Sequence, residues 1–249
     1  MDVTSLGVGL TGDELSLEDL RKLDPRMSNI PSSTVENFQA VFLHEHAGLP
    51  CSIPGEVIKR LRVACDLAIY GFFSYEFFGV SLLWSLTTIE MALAHKLFQV
   101  FPQPVTLTKK CKEKEFLGNY EMLNDELRDR WRIVGLSEFN GGFRGLMRWA
   151  RNARLLDPAT PVILDIITAS FEHEQRKRVL DGQQPQRPSC LLDVLVAGIP
   201  SLRNQLAHPR EFNWLLPPGV SQRGFLQATC IIGQLWKDSK VTNCSVNDG

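Results

Sequence analysis

Apolar residues recur every three or four positions through most of the chain that follows Pro54, which is the spacing of one buried side of an α-helix. Two successive series are the strongest: Val57, Ile58, Leu61, Ala64, Cys65 and Ala68, followed by Leu82, Leu86, Ile89, Leu93 and Leu97. Patterns that alternate apolar and polar residues, as half-buried strands do, are almost absent. The sequence therefore predicts an all-α fold whose first two long helices are largely buried.

Further helices are predicted downstream from apolar stripes and from residues that typically cap a helix. Thr160 is a candidate N-cap with Pro161 as the first helical residue, and Ser189 can cap a later helix that continues through Pro200. The segment 102–119 contains proline, threonine and lysine and is predicted to be a loop or a series of short turns. The predicted helices span residues 120–131, 143–156, 161–180, 190–208 and 225–236.

The first fifty residues carry two capping-box patterns, Ser16-x-x-Asp19 and Ser33-x-x-Glu36, which predict short helices near 16–23 and 33–46. A chain of 249 residues with 44% hydrophobic content is long enough for one domain with a sizeable core. We therefore expect three regions, which are an N-terminal helical arm over 1–50, a helical domain over 51–240 and a disordered tail over 241–249.

The charge and the cysteines restrict the function classes that the chain can belong to. The formal net charge is −1, so attraction to nucleic acid must come from a local patch rather than from the whole molecule. The six cysteines are scattered without a CxxC pair or a histidine at zinc-finger spacing, which indicates reduced thiols and no structural metal. The N-terminus shows no secretory signal. We expect a cytoplasmic protein without a metal or another cofactor.

One apolar stretch, residues 67–84, reaches the length of a minimal membrane span. Glu76 lies in its middle, and Gly71 and Gly79 interrupt it. The stretch is therefore predicted to form buried helices, and no membrane partner is expected.

A short segment, SLRNQLAHPRE, brings Arg203, Asn204 and His208 together just before Pro209. On a helix Asn204 and His208 share a face, whereas Arg203 and His208 point about 140° apart. One helix therefore cannot direct both side chains at a single small group. Two copies of the chain that met along this helix would bring the arginine of one copy to the histidine of the other, which would make a composite site on a two-fold axis.

Arginine, asparagine and histidine provide the groups that cleave RNA without a metal. A neutral imidazole can take the 2′-hydroxyl proton, and an imidazolium can return a proton to the leaving oxygen. The guanidinium can neutralise charge on the phosphorane, the amide can orient a phosphate oxygen, and the product would carry a 2′,3′-cyclic phosphate. The structural alternative is a solvated Arg203, an Asn204 bonded to a neighbour, and a His208 that ends a helix where a cation suits the dipole.

The string LRNQLAHP resembles the motif of the HEPN superfamily, in which an arginine and a polar residue are followed after a short spacer by a histidine. Two other segments are similar to the same family: LLWSLTTIEMALAHKLF to its early core helix, and GGFRGLMRWARNARLL to its middle segment. The resemblance covers roughly residues 54–238.

The resemblance implies an HEPN-like helical bundle that commonly dimerises and, in many members, a metal-independent endoribonuclease that acts as a toxin or in defence against phage. Arg203, Asn204 and His208 match the family's active-site positions. The partners it implies are RNA, a second copy of the chain and an antitoxin or regulatory protein. Other members have lost catalysis, so the alternative is a non-catalytic interaction module or a module that binds nucleotides or RNA.

Four arginines recur at intervals of four, three and three residues in a segment, 141–156, that contains no acidic residue. They predict a basic edge along which RNA phosphates can track, or else a solvated face that keeps the helix soluble. The four are Arg144, Arg148, Arg151 and Arg154.

Glu90 falls within the apolar periodicity of the second long helix. A buried carboxylate needs a partner, so Glu90 is predicted to pair with Arg203 or Asn204 and to support the site. The alternative is an exposed position at the edge of the apolar stripe.

Overall fold

A computed structural model describes residues 48–136, 139–185, 187–208 and 216–237, together with Met27, Ala40 and His44. The predicted arm helix near 16–23 and the predicted tail lie outside these ranges, and of the predicted helix near 33–46 only Ala40 and His44, both helical, are described. The described residues form seven α-helices and three short strands, so the chain is predominantly helical. The helices are α1 (Gly55–Tyr70), α2 (Phe77–Val100), α3 (Tyr120–Arg128), α4 (Gly142–Asn152), α5 (Asp165–Leu180), α6 (Leu191–Ala207) and α7 (Pro218–Leu235). The strands are β1 (Val105–Lys109), β2 (Lys112–Phe116) and β3 (Arg132–Ile133).

The long helix α2 lies at the centre of the fold and packs against α1 and α7, with further contacts to α4 and α6. Leucine and isoleucine side chains of α2 that the apolar period identified are fully buried, which confirms the first two predicted helices. Three hydroxyls on α2 are also buried, and each donates to a backbone carbonyl. Ser81 Oγ donates to Ala64 O at 2.6 Å and so links α2 to α1.

Two glycines allow neighbouring helices to approach closely. A Cβ at Gly224 of α7 would overlap the side chain of Leu82 on α2. A Cβ at Gly198 of α6 would lie 2.6 Å from both the backbone oxygen and the Cγ2 atom of Ile167 on α5. The α5–α6 pair therefore depends on the missing side chain at position 198.

The apolar stretch at residues 67–84 does not form one helix, because α1 ends at Tyr70 and a turn precedes α2. Among the described helices, α2 is long and apolar enough to span a membrane by length and composition. More than half of its most apolar window, 56%, is buried inside the structure, as in the core helix of a soluble protein.

The three-stranded sheet contradicts the predicted loop at 102–119 and is a small addition to a chain that is otherwise predominantly helical, as predicted. The strands are antiparallel in the order β2-β1-β3, with Val105 opposite Phe116 and Leu107 opposite Ile133. Val105 and Leu107 are buried, but the opposite strand β2 begins with four charged residues and so lacks an apolar alternation. The connecting residues Lys110 and Cys111 both have positive φ angles, as a type I′ hairpin turn requires, without the usual asparagine or glycine.

The predicted boundaries of three helices were wrong. Helix α5 begins at Asp165 rather than Pro161, and the Thr160 hydroxyl donates to Asp157 O and Gln234 Oε1 instead of capping. Helix α6 has Cys190 as its N-cap, while Ser189 donates to the Asp193 carboxylate through both its amide and its hydroxyl. Helix α7 begins at Pro218, well before the predicted residue 225. Helix α6 does continue through the buried Pro200, as predicted.

Candidate functional site

Arg203 on α6 forms an ion pair with Glu90 on α2, with 2.8 Å between Arg203 Nη2 and Glu90 Oε2. The two side chains are 30% and 21% exposed, so the pair is largely removed from water. Glu90 is therefore largely removed from water and paired with Arg203, one of the two partners predicted from the sequence. The pair fixes the guanidinium against the central helix.

Asn204 restrains Arg203 from the other side, because Asn204 Oδ1 accepts a hydrogen bond from Arg203 Nη1 at 3.1 Å. The Asn204 side chain is otherwise exposed. Arg203 Nε is buried and has no hydrogen-bond partner among the described residues. The guanidinium is thus positioned by two side chains, and its buried Nε–H has no acceptor in the described chain.

Burial dominates the electrostatics around Glu90. It raises the pKa of the Glu90 carboxyl above its ordinary value, and the neighbouring Arg203 and Arg60 oppose this rise only in part. Burial and the nearby Glu90 carboxylate also raise the pKa of Tyr120, whose hydroxyl donates to Gly142 O at 3.3 Å. Both Glu90 and Tyr120 are therefore groups whose charged forms the site disfavours.

A cleft of about 1070 Å³, here called the Glu90 cleft, surrounds this pair. Four arginines and four carboxylates line it, so the cleft carries no excess of either charge when His95 is neutral. The side chains that give it chemical character are Glu90, Arg203, Asn204, Arg60, His95, Tyr120 and Arg144.

Three of these residues were not identified from the sequence. The Arg60 guanidinium lies 4.6 Å from the centroid of the Trp84 ring, and His95 Nε2 lies 3.6 Å from Glu56 Oε2. Tyr120 opens α3, which follows the unpredicted sheet. They come from α1, α2 and the start of α3 and line one cleft, and no local spacing in the sequence carries that information.

His208 does not line the Glu90 cleft. It is the C-cap residue of α6, where its backbone N–H donates to Asn204 O at 3.1 Å. Its imidazole is exposed and makes no hydrogen bond or ion pair with the rest of the described chain. One copy of the chain therefore brings Arg203, Asn204 and Glu90 together and leaves His208 outside. The separation of Arg203 from His208 agrees with the directions expected on a helix, whereas Asn204 does not share a site with His208, because His208 ends the helix with non-helical backbone angles.

The four arginines of the predicted basic edge differ in their surroundings. Arg144 Nη1 lies 3.1 Å from Glu174 Oε1 on α5, and Arg151 Nη1 lies 2.5 Å from Asp193 Oδ1 on α6. Arg148 is exposed, and Arg154 follows the end of α4 with a positive φ angle. The segment that carries the four arginines contains no acidic residue, but in the folded chain α5 and α6 place carboxylates beside two of the arginines.

Within the described ranges no three His, Cys, Asp or Glu side chains are grouped as a metal site would require. None of the five cysteines in those ranges is joined to another of them by a disulfide. No family model, curated protein or solved structure matches the chain.

Proposed function

We propose that the protein is a metal-independent endoribonuclease of the HEPN type. The observation that supports this most directly is the positioning of Arg203 by Glu90 and Asn204 on the helix that ends in the exposed His208. A guanidinium held by two partners needs little reorganisation when charge develops on a substrate phosphate. The imidazole one helical turn later remains accessible to solvent and to a second copy of the chain.

The proposed reaction is an intramolecular transesterification of RNA. Neutral His208 takes the proton of a 2′-hydroxyl, and the 2′-oxygen attacks the adjacent phosphorus. Arg203 stabilises the negative charge of the phosphorane, and Asn204 orients a phosphate oxygen. The bond to the 5′-oxygen breaks, that oxygen receives a proton from the His208 imidazolium formed in the first step, and a 2′,3′-cyclic phosphate is left. Because His208 lies outside the cleft of its own copy, the site is completed by a homodimer.

Cleavage of labelled RNA in the presence of a chelator tests this reaction. Wild type is expected to cut, and His208→Ala and Arg203→Ala are expected to lose activity by a factor of about 10²–10⁴, the usual range for one acid–base or charge-stabilising group. His173→Ala is a matched control, since His173 is an exposed histidine on α5 that does not line the Glu90 cleft. Equal cleavage by wild type and His208→Ala, or no cleavage of any RNA by wild type, would contradict the proposal.

The biological setting that accompanies this proposal is a cytoplasmic toxin or antiphage effector restrained by an antitoxin or regulatory partner. It predicts that expression in a bacterial host is toxic and that Arg203→Ala relieves the toxicity while the protein still folds. Wild-type expression without any growth defect would count against a toxin role.

A specific observation favours a second candidate, a non-catalytic interaction or RNA-binding module of the same fold. The charge of Arg203 is already neutralised by Glu90, and the Glu90 cleft has equal numbers of arginines and carboxylates. This candidate predicts that His208→Ala alters assembly or partner binding while no preparation cleaves RNA.

A further inference from the structure

A second cleft of about 1070 Å³ lies beside α4 and α5 and reaches the segment that leads into α6. It is here called the Arg148 cleft, after the arginine on α4 that lines it. Five arginines and two carboxylates line it, which leaves three positive charges in excess in a chain whose net charge is −1. The arginines are Arg144, Arg148, Arg151, Arg178 and Arg187, and the carboxylates are Glu174 and Asp193.

Three of the five arginines have no acidic partner among the described residues. Glu174 and Asp193 are taken by Arg144 and Arg151. Arg178 donates only to the amide oxygen of Gln183, at 3.4 Å, and neither Arg148 nor Arg187 makes a hydrogen bond or an ion pair there. The three come from different parts of the fold, α4, α5 and the segment before α6, and they face one cavity.

This arrangement disfavours the charged form of Arg148. Partial loss of hydration, followed by the like charges of Arg144, Arg151 and Arg178, lowers the pKa of Arg148 below its ordinary value. Folding has therefore gathered five arginines around two carboxylates, which leaves Arg148 without an acidic partner in the described chain. An external anion with several negative groups would remove this repulsion.

The remaining lining residues indicate what part of such an anion is bound. Phe139, Trp149 and Phe171 are buried in the core, and Phe101 is half-buried, so none presents an open ring face. Stacking of bases on exposed aromatic rings is the usual way of binding single-stranded nucleobases. The cleft lacks such a platform and offers guanidinium groups, which suit phosphates.

We infer that the Arg148 cleft binds the phosphate backbone of single-stranded RNA through Arg148, Arg178 and Arg187, without selecting its sequence. The choice of RNA rests on the proposed function. The two clefts share Gly141 and Arg144, so a strand that leaves the Glu90 cleft enters the Arg148 cleft directly. Arg154, which the sequence grouped with Arg148, does not line this cleft.

The test measures binding of a labelled RNA of mixed sequence and about 20 nucleotides as a function of salt concentration. All proteins carry His208→Ala, so that binding is measured without cleavage. Each phosphate contact to a single strand contributes about −0.7 to the slope of log affinity against log salt. The cleft variant carries Arg148→Gln, Arg178→Gln and Arg187→Gln, and the charge-matched control carries Arg62→Gln, Arg130→Gln and Arg176→Gln, which are exposed and outside both clefts.

Loss of three contacts is expected to make the slope less steep by about 2. Between about 50 and 200 mM salt, the affinity of the parent should therefore fall about 20-fold more than the affinity of the cleft variant. The single variant Arg148→Gln should reduce the slope by about 0.7, and the control should leave it unchanged. Circular dichroism establishes that each variant is folded. Equal slopes for the parent and the cleft variant, or no RNA binding by the parent, would overturn the inference.

This outcome is separable from that of the cleavage assay. Cleavage by wild type with equal binding slopes would remove the Arg148 cleft from the mechanism and leave the nuclease proposal standing. A reduced slope without cleavage by any preparation would support the RNA site and overturn the nuclease proposal.

Discussion

Replacing Arg203 with methionine is expected to destabilise the folded chain in a manner that depends on pH through Glu90. The Arg203–Glu90 pair joins α6 to the central helix at 2.8 Å, and its side chains are 30% and 21% exposed. Exposed ion pairs contribute about 0.2–1 kcal/mol, whereas breaking a buried pair costs about 3–5 kcal/mol. This pair lies between those limits, so we expect Arg203→Met to lower the free energy of unfolding by about 2 kcal/mol at pH 7.

The direction of the pH dependence follows from the raised pKa of Glu90. A carboxyl whose pKa is higher in the folded than in the unfolded chain contributes stability below its unfolded pKa of about 4.3, and this contribution is lost as pH rises through the folded pKa. Replacement of Arg203 raises the pKa of Glu90 in the folded chain further. The contribution of Glu90 to stability therefore continues to decrease up to a higher pH. The difference in free energy of unfolding between wild type and Arg203→Met should therefore be small near pH 4. Above that pH it should grow by at most about 1.4 kcal/mol per pH unit.

Urea unfolding followed by circular dichroism between about pH 4 and 8 measures this difference. The double variant Glu90→Gln with Arg203→Met should lose the pH dependence, because the titrating carboxyl is gone. Arg128→Met is the matched control, since the Arg128–Asp125 pair is 72% and 74% exposed and should contribute about 0.5 kcal/mol or less. A difference between wild type and Arg203→Met that stays constant with pH would refute the assignment of Glu90 as the coupled group.

Two further predictions concern the packing that positions the site. Gly198→Ala should lower the free energy of unfolding by about 1–2 kcal/mol, because the cost of overlap with Ile167 exceeds the gain in helix propensity. Gly219→Ala is the control and should not destabilise the chain, because position 219 has open space around it. Ser81→Ala should lower the free energy of unfolding by about 1 kcal/mol, because the hydrogen bond between α2 and α1 is lost. Ser74→Ala removes an exposed hydrogen bond and should lower it by less than half of that amount. Both values come from the same urea unfolding measurement.

Helices α1 and α2 were predictable because each buries a stripe of apolar side chains, and the spacing of that stripe can be read directly from the sequence. The hairpin was not, because the charged strand β2 is held by backbone pairing to β1 and by a turn whose positive φ angles fall on Lys110 and Cys111. Lysine and cysteine do not ordinarily mark such a turn. The sheet therefore depends on backbone pairing between its strands, and its residues carry little local signal.

The candidate site likewise combines one feature that the local sequence predicts with another that it does not. Glu90 was predictable as a paired carboxylate, because an acidic residue inside an apolar stripe must find a partner when it is buried. The environment of the α4 arginines was not, since Glu174 and Asp193 reach Arg144 and Arg151 across helices that follow in the sequence. Spacing along a helix predicts which side chains share a face, but it does not predict what the neighbouring helix places opposite them.

The separation of Arg203 from His208 within one copy leads to the last prediction, which concerns mixed dimers. If catalysis joins Arg203 of one copy to His208 of another, a dimer of Arg203→Ala and His208→Ala chains contains one intact site and one site that lacks both groups. Random mixing of the two inactive proteins should then restore about a quarter of wild-type cleavage, since half of the dimers are mixed and each has one of two sites. If instead both groups act from the same copy, no mixed dimer has an intact site, and mixing should restore nothing. Continued inactivity of a mixture whose subunits demonstrably exchange would therefore rule out the composite site, whatever the activity of the wild-type protein.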